Sequence, residues 1–173
     1  MYFDRLRGLN EEMTMEFALN LGEGGSRVCG IEIPVTEETI AEVSGLPQVG
    51  QRWFLKRTAL PEFAEAFLQV GESSAQKDLG YDKTSLPYPW GGVTEFVIKY
   101  MTCEGRYSTI FKYHLRILAH LRFPQAKAFS MNVPYFLLRS LHLMVHSAQG
   151  SRQVLAVITH HGLVQLLIMN AIR

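Results

Sequence analysis

The chain has 173 residues, 47% hydrophobic and 19% charged, with a net charge of +1. That composition excludes a disordered or collagen-like chain and suits one domain, or two small halves sharing a core. Its two cysteines, Cys29 and Cys103, exclude a disulfide framework, and the charged opening MYFDRLRGLNEE lacks the apolar run of a secretory signal, so a cytoplasmic or nuclear location is expected.

The near-neutral total hides a division. Residues 1–94 hold 8 Lys/Arg and 14 Asp/Glu, a net −6, whereas residues 95–173 hold 9 Lys/Arg and 2 Asp/Glu, a net +7. Such asymmetry draws an anionic partner to the basic half, or lets acidic and basic halves attract each other within or between chains.

From the N-terminal side, 11–21 (EEMTMEFALNL) predicts a short helix closed by the loop Gly22-Glu23-Gly24-Gly25-Ser26. The glycines there follow a helix and lack the spacing of a phosphate-binding turn. Val28, Ile31 and Ile33 predict a short strand, broken at Gly30 by a turn or bulge. Thr36 is an expected helix N-cap, Glu37 and Glu38 complement the helix dipole, and Val35 with Ile40 form a hydrophobic staple. Gly45 then suits the left-handed position after the last turn and Pro47 stops the helix, giving a helix over 37–44.

This order of strand, helix, Gly-Leu-Pro-x-x-Gly turn and Trp resembles a domain of plant retrotransposon-derived proteins, the plant transposon or Gag-associated type. It is also similar in pattern to the plant mobile domain. The residues that carry the resemblance are Ile31, Ile33, Val35, Thr36, Thr39, Ile40, Gly45, Leu46, Pro47, Gly50 and Trp53, and the later run 131–149 looks like the helical half of such proteins. The resemblance implies a mobile-element origin and a binding or assembly role rather than a reaction. The chain departs from a complete Gag protein, having neither a zinc knuckle nor an Asp-Thr/Ser-Gly protease signature.

Beyond Trp53 the pattern is mixed, with a second short helix expected around 62–69. Residues 71–92 read as a linker or long loop, with Tyr88 and Trp90 expected to dock its end onto the body. Helices are then expected over 93–102, 108–123 and 133–148, the last capped by Asn132, and from Ser151 towards 172. The fold class that follows is mainly α with a small N-terminal β-element, a compact multi-helix domain. An N-terminal helix/strand subdomain (1–70), the linker (71–92) and a helical subdomain (93–173) would share one core. That core is expected to contain Phe96, Ile98, Ile110, Leu115, Leu118, Leu137, Leu141, Met144, Leu155, Ile158 and Leu166.

Three patterns could carry chemistry. Arg139, His142, His146 and Gln149 make a polar stripe on the 133–148 helix, read as a candidate interface. His142 and His146 are four apart, but Leu143 stands where a metalloprotease needs Glu, so no metal is expected. The apolar run 154–172 has the length of a membrane span yet contains His160, His161, Gln165 and Asn170, which favours a buried helix broken near Gly162. Third, basic residues interleaved with aromatics make Lys112, Arg116, Arg122, Arg139 and Tyr113 candidate nucleic-acid contacts. Cys103 near Arg106 reads as a structural cysteine, and Ser140 lacks the nucleophile-elbow context.

The leading expectation is a non-enzymatic binding or self-assembly module that associates through its C-terminal helices, without cofactor and without membrane. The alternative is a nucleic-acid-binding module using the basic half for RNA or DNA. A distant third is a metal enzyme built on His142 and His146.

Overall fold

The computed structural model describes residues 11–54, 81–82, 84, 86–102, 109–149 and 160–172, and for 81, 100, 112, 144 and 146–149 it describes the backbone alone. Helix predominates, accompanied near the N-terminal side by a small antiparallel hairpin, the class that the hydrophobic pattern predicts. The chain divides into two units, one from Met1–Val49 with Asn132–Arg173, the other Gly50–Met131. These boundaries differ from the ones that composition suggests at 70 and 92, and most of the expected linker and the 62–69 helix lie outside the described residues.

The first unit starts with helix α1 (Glu11–Asn20), which buries Thr14, Phe17 and Ala18 on one face. A hairpin follows, strand β1 (Gly25–Val28) paired with β2 (Ile31–Pro34) in the register Gly25↔Pro34 to Val28↔Ile31. Its two-residue turn has positive φ at both Cys29 (49°) and Gly30 (78°), the primed geometry whose twist matches the strands. The turn or bulge expected at Gly30 is thus a turn, and it divides the expected short strand into two paired ones. Along the hairpin Ser26, Val28 and Ile33 are buried, while Arg27 and Glu32 form an ion pair on the exposed side. Ser26 Oγ donates to the Phe17 carbonyl (2.6 Å) and fastens the hairpin to α1.

Helix α2 (Glu37–Ser44) has the predicted bounds and caps. The Thr39 N–H donates to Thr36 Oγ1 (3.2 Å) and the Thr36 N–H to Thr39 Oγ1 (2.9 Å), a reciprocal capping box with Thr in place of the usual Glu. At the other end Gly45 takes φ 69°, and its N–H reaches the Ala41 carbonyl at 2.9 Å. Val35 and Ile40, the staple pair, are both fully buried. α2 packs against helices α5 (Val133–Gln149) and α6 (His161–Ile172), and α6 packs in turn against β2 and α1. Phe17, Ile33, Ile40, Phe136, Leu141, Val164 and Leu167 fill the centre of this unit.

In the second unit, a two-residue strand pair, β3 (Tyr81–Asp82) and β4 (Thr109–Ile110), precedes and follows helix α3 (Trp90–Phe96). α3 continues as a π-helical stretch, Val97–Thr102. Helix α4 (Lys112–Arg122) packs on both parts, and a short 3₁₀ turn covers Lys127–Phe129. α4 begins at Lys112 rather than 108 because Thr109–Ile110 pair with β3 and Phe111 stays extended (φ −94°, ψ 163°). Val97 and Ile98 are buried at the start of the π stretch, whereas Phe96 is 48% exposed, outside the core expected of it.

The remaining expected core residues divide between the units. Ile98, Ile110, Leu115 and Leu118 are buried in the second and Leu141 in the first, whereas Leu137 and Leu166 are half-buried. Leu155, Ile158 and the Met144 side chain lie outside the described residues. Gly50 shows why its position excludes a side chain. With φ at 97°, a Cβ there would stand 2.8 Å from the backbone N and C of Met131, beside the parallel bridge Gln51↔Met131.

Candidate functional site

The candidate nucleic-acid residues fall on both units. Arg139 is exposed on α5 of the first; Lys112, Tyr113, Arg116 and Arg122 belong to α4 of the second. Arg116 corrects the reading of a surface cation. It is only 8% exposed, its Nη2 donates to Gln51 Oε1 (2.7 Å), and its guanidinium carbon lies 4.7 Å above the Trp53 ring, which is itself buried. Burial lowers its pKa, and the contact joins α4 to the chain just past the Gly-Leu-Pro turn. The planar guanidinium stacks on an aromatic face in a way that a lysine would not reproduce.

Tyr113 is half-buried, 5.6 Å from the Phe111 ring and 4.2 Å from that of His114. The Lys112 side chain is outside the described residues. His114, the third residue of α4, is fully buried. Its Nδ1 accepts the Phe111 N–H at 3.0 Å, so the neutral ring carries its proton on Nε2, 3.2 Å from Thr102 Oγ1. Burial drives its pKa down to about 3. His114 is thus a structural helix cap and stays neutral.

Arg122 is exposed, as expected. At the C-terminal end of α4, where a cation complements the helix dipole, its guanidinium lies 5.8 Å from the Trp90 ring centre and 5.1 Å from that of Phe123. Phe123 and Phe129 are 5.7 Å apart. Tyr88, expected to dock onto the body, is 97% exposed, while Trp90 is half-buried at the start of α3. Spacing along the chain could not join Trp90 to Arg122, because their approach depends on α3 packing against α4.

On the α5 stripe Arg139 is exposed and His142 half-buried; the side chains of His146 and Gln149 lie outside the described residues. Among the described residues no three His, Cys, Asp or Glu side chains gather into a metal-binding group. The polar contacts that stand out lie on the buried side. Ser140 Oγ is 3.0 Å from His160 Nε2, with the two residues 6% and 4% exposed. Burial lowers the His160 pKa to about 4, which keeps the ring neutral at pH 7. A Ser–His contact can activate a nucleophile, but this one is closed to solvent and ties α5 to the start of α6.

His160 precedes α6, whose first bond runs from the Val164 N–H to the His160 carbonyl. The break expected near Gly162 is, among the described residues, a helix start at His161. The segment from Ser151 to residue 159 is outside them. Asn132, sequence-predicted to cap α5, does so: its Oδ1 accepts the Tyr135 N–H at 3.0 Å. Its Nδ2 also donates to Glu37 Oε1 at 2.7 Å, so one buried amide joins the starts of α5 and α2.

Outward-facing apolar groups occur on several helices. α6 exposes Met169 (45%) and Ile172 (55%), three residues apart and hence on one face, with half-buried Leu166 a further turn back. Leu143 on α5 and Leu19 on α1 are also about half exposed. No described helix is long and apolar enough to cross a membrane. Compared with known proteins, the chain matches no family model, no curated protein and no solved structure.

Proposed function

We propose that the chain is a non-enzymatic binding module that self-associates through its C-terminal helices, and that it derives from a mobile element. The observation that supports self-association best is the outer face of α6. Met169 and Ile172 lie side by side there in solvent on a helix whose inner face, Val164, Leu167 and Ile168, is already packed into the first unit. Two apolar side chains of this size are stabilised by leaving water, and a helix face of this kind can pair with its own copy about a twofold axis. The mobile-element lineage rests on the resemblance carried by Ile31 to Trp53. The contacts of α2 and Gly50 supply a physical reason for the Thr-x-x-Thr cap and the two glycines in that pattern.

Sedimentation velocity across a range of micromolar concentrations tests the association. A concentration-dependent dimer that Met169→Glu with Ile172→Glu reduces to monomer is the expected result. A strict monomer at high micromolar concentration removes the proposal. The lineage is checked separately, by whether reverse-transcriptase or integrase reading frames flank the gene.

A further inference from the structure

The second unit carries a surface of different chemistry from the α6 face. Tyr88 projects a ring that is 97% exposed, and two residues later Trp90 opens α3. Arg122 arrives from the end of α4 and lies against both Trp90 (5.8 Å) and Phe123 (5.1 Å). Phe123 packs 5.7 Å from Phe129, and exposed Lys127 stands in the 3₁₀ turn that carries Phe129. Arg122, Trp90, Phe123 and Phe129 therefore form one group of rings around a guanidinium, with exposed Tyr88 two residues from Trp90 in the chain and exposed Lys127 two residues from Phe129.

The charge of the unit has the same sign. Gly50–Met131 contains 11 Lys/Arg and 7 Asp/Glu, a net +4, whereas the discontinuous first unit contains 6 and 9, a net −3. Aromatic faces accept stacked bases of any sequence, and neighbouring cations track the phosphates. Rings of this kind reach bases that are already unstacked, which favours a single strand over a duplex. Proline-rich peptides also bind exposed Tyr and Trp, but they offer no anions to the cations or to the positive unit.

We propose that this face binds single-stranded nucleic acid, with Tyr88 and Trp90 stacking on bases and Arg122 and Lys127 contacting phosphates. It shares no residue with the α6 face, so either proposal can fail alone.

The test uses the full chain and a fluorescein-labelled 12-nucleotide oligouridylate, followed by anisotropy at 50 and 200 mM salt. Two phosphate contacts predict a loss of affinity of about sevenfold over that salt range. Tyr88→Ala should weaken binding about fivefold or more, the effect of one lost base stack. Its position in solvent makes loss of the fold unexpected, and far-UV circular dichroism checks that. Arg122→Gln with Lys127→Gln should flatten the salt dependence. Trp53 is buried, so quenching of tryptophan fluorescence by unlabelled oligouridylate would report on Trp90. No binding at 50 mM salt overturns the proposal. So does binding that Tyr88→Ala leaves unchanged, which would assign it to diffuse charge, or tighter binding of a labelled decaproline peptide, which would assign the face to proline-rich segments.

Discussion

Asn132 shows how much one side chain can organise. Its oxygen caps α5 and its amide nitrogen holds the Glu37 carboxylate at the start of α2, 95 positions away in the chain. Replacing Asn132 with Ala removes the cap and one partner of a buried carboxylate together. The expected cost is about 2 kcal/mol, read from urea unfolding midpoints. His160 gives a pH dependence whose sign is fixed by burial. Its folded pKa of about 4 lies below the 6.5 of the unfolded chain, so the unfolded state takes up the proton first. Its contribution is complete above pH 6.5 and declines as the pH falls towards 4, by up to about 1.4 kcal/mol per pH unit. Urea unfolding at pH 7 and pH 5 should therefore show a smaller loss of stability for His160→Gln than for the natural chain; equal losses would contradict this. The capping role of Asn132 was legible from its place before an apolar periodic run. Its second contact was not, nor was the burial of Arg116 against Gln51 and Trp53, because both depend on partners brought together by the fold.

At the scale of elements, α2 is the segment where sequence and structure agree to the residue. Every signal for it is local: the Thr cap, the acidic first turn, the staple and the left-handed Gly45 all lie within a dozen positions. Thr36→Ala should cost about 1 kcal/mol, again measured by urea unfolding, since it removes the acceptor for the Thr39 N–H. The hairpin was only half legible. Val28, Ile31 and Ile33 announce strand, but Gly25-Ser26-Arg27 is weakly β-forming and Cys29-Gly30 is not the usual Asn-Gly signal for a primed turn. The late start of α4 and the π-helical end of α3 were hidden for a different reason. Thr109–Ile110 read as helix until β3 pairs with them, and no local signal marks the π stretch Val97–Thr102 or the exposure of Phe96.

For the whole molecule, the division of charge takes a new form. The −6 and +7 of the two sequence halves become −3 and +4 for the two structural units, because the first unit is assembled from both ends of the chain. Composition along the sequence could not reveal that interleaving. The association proposed for α6 belongs to the first unit and the cation-rich aromatic face to the second, so the two should respond differently to salt. Self-association through Met169 and Ile172 is apolar and should survive 0.5 M NaCl, whereas binding at Arg122 and Lys127 should weaken. Sedimentation equilibrium of the intact chain at 5–100 μM (about the range in which a weak dimer separates from a monomer) tests self-association without a labelled partner. Self-association through α6 predicts a dimer that persists in 0.5 M NaCl and dissociates on Met169→Glu with Ile172→Glu. A single monomeric species across that range, or a dimer indifferent to those substitutions, would contradict it.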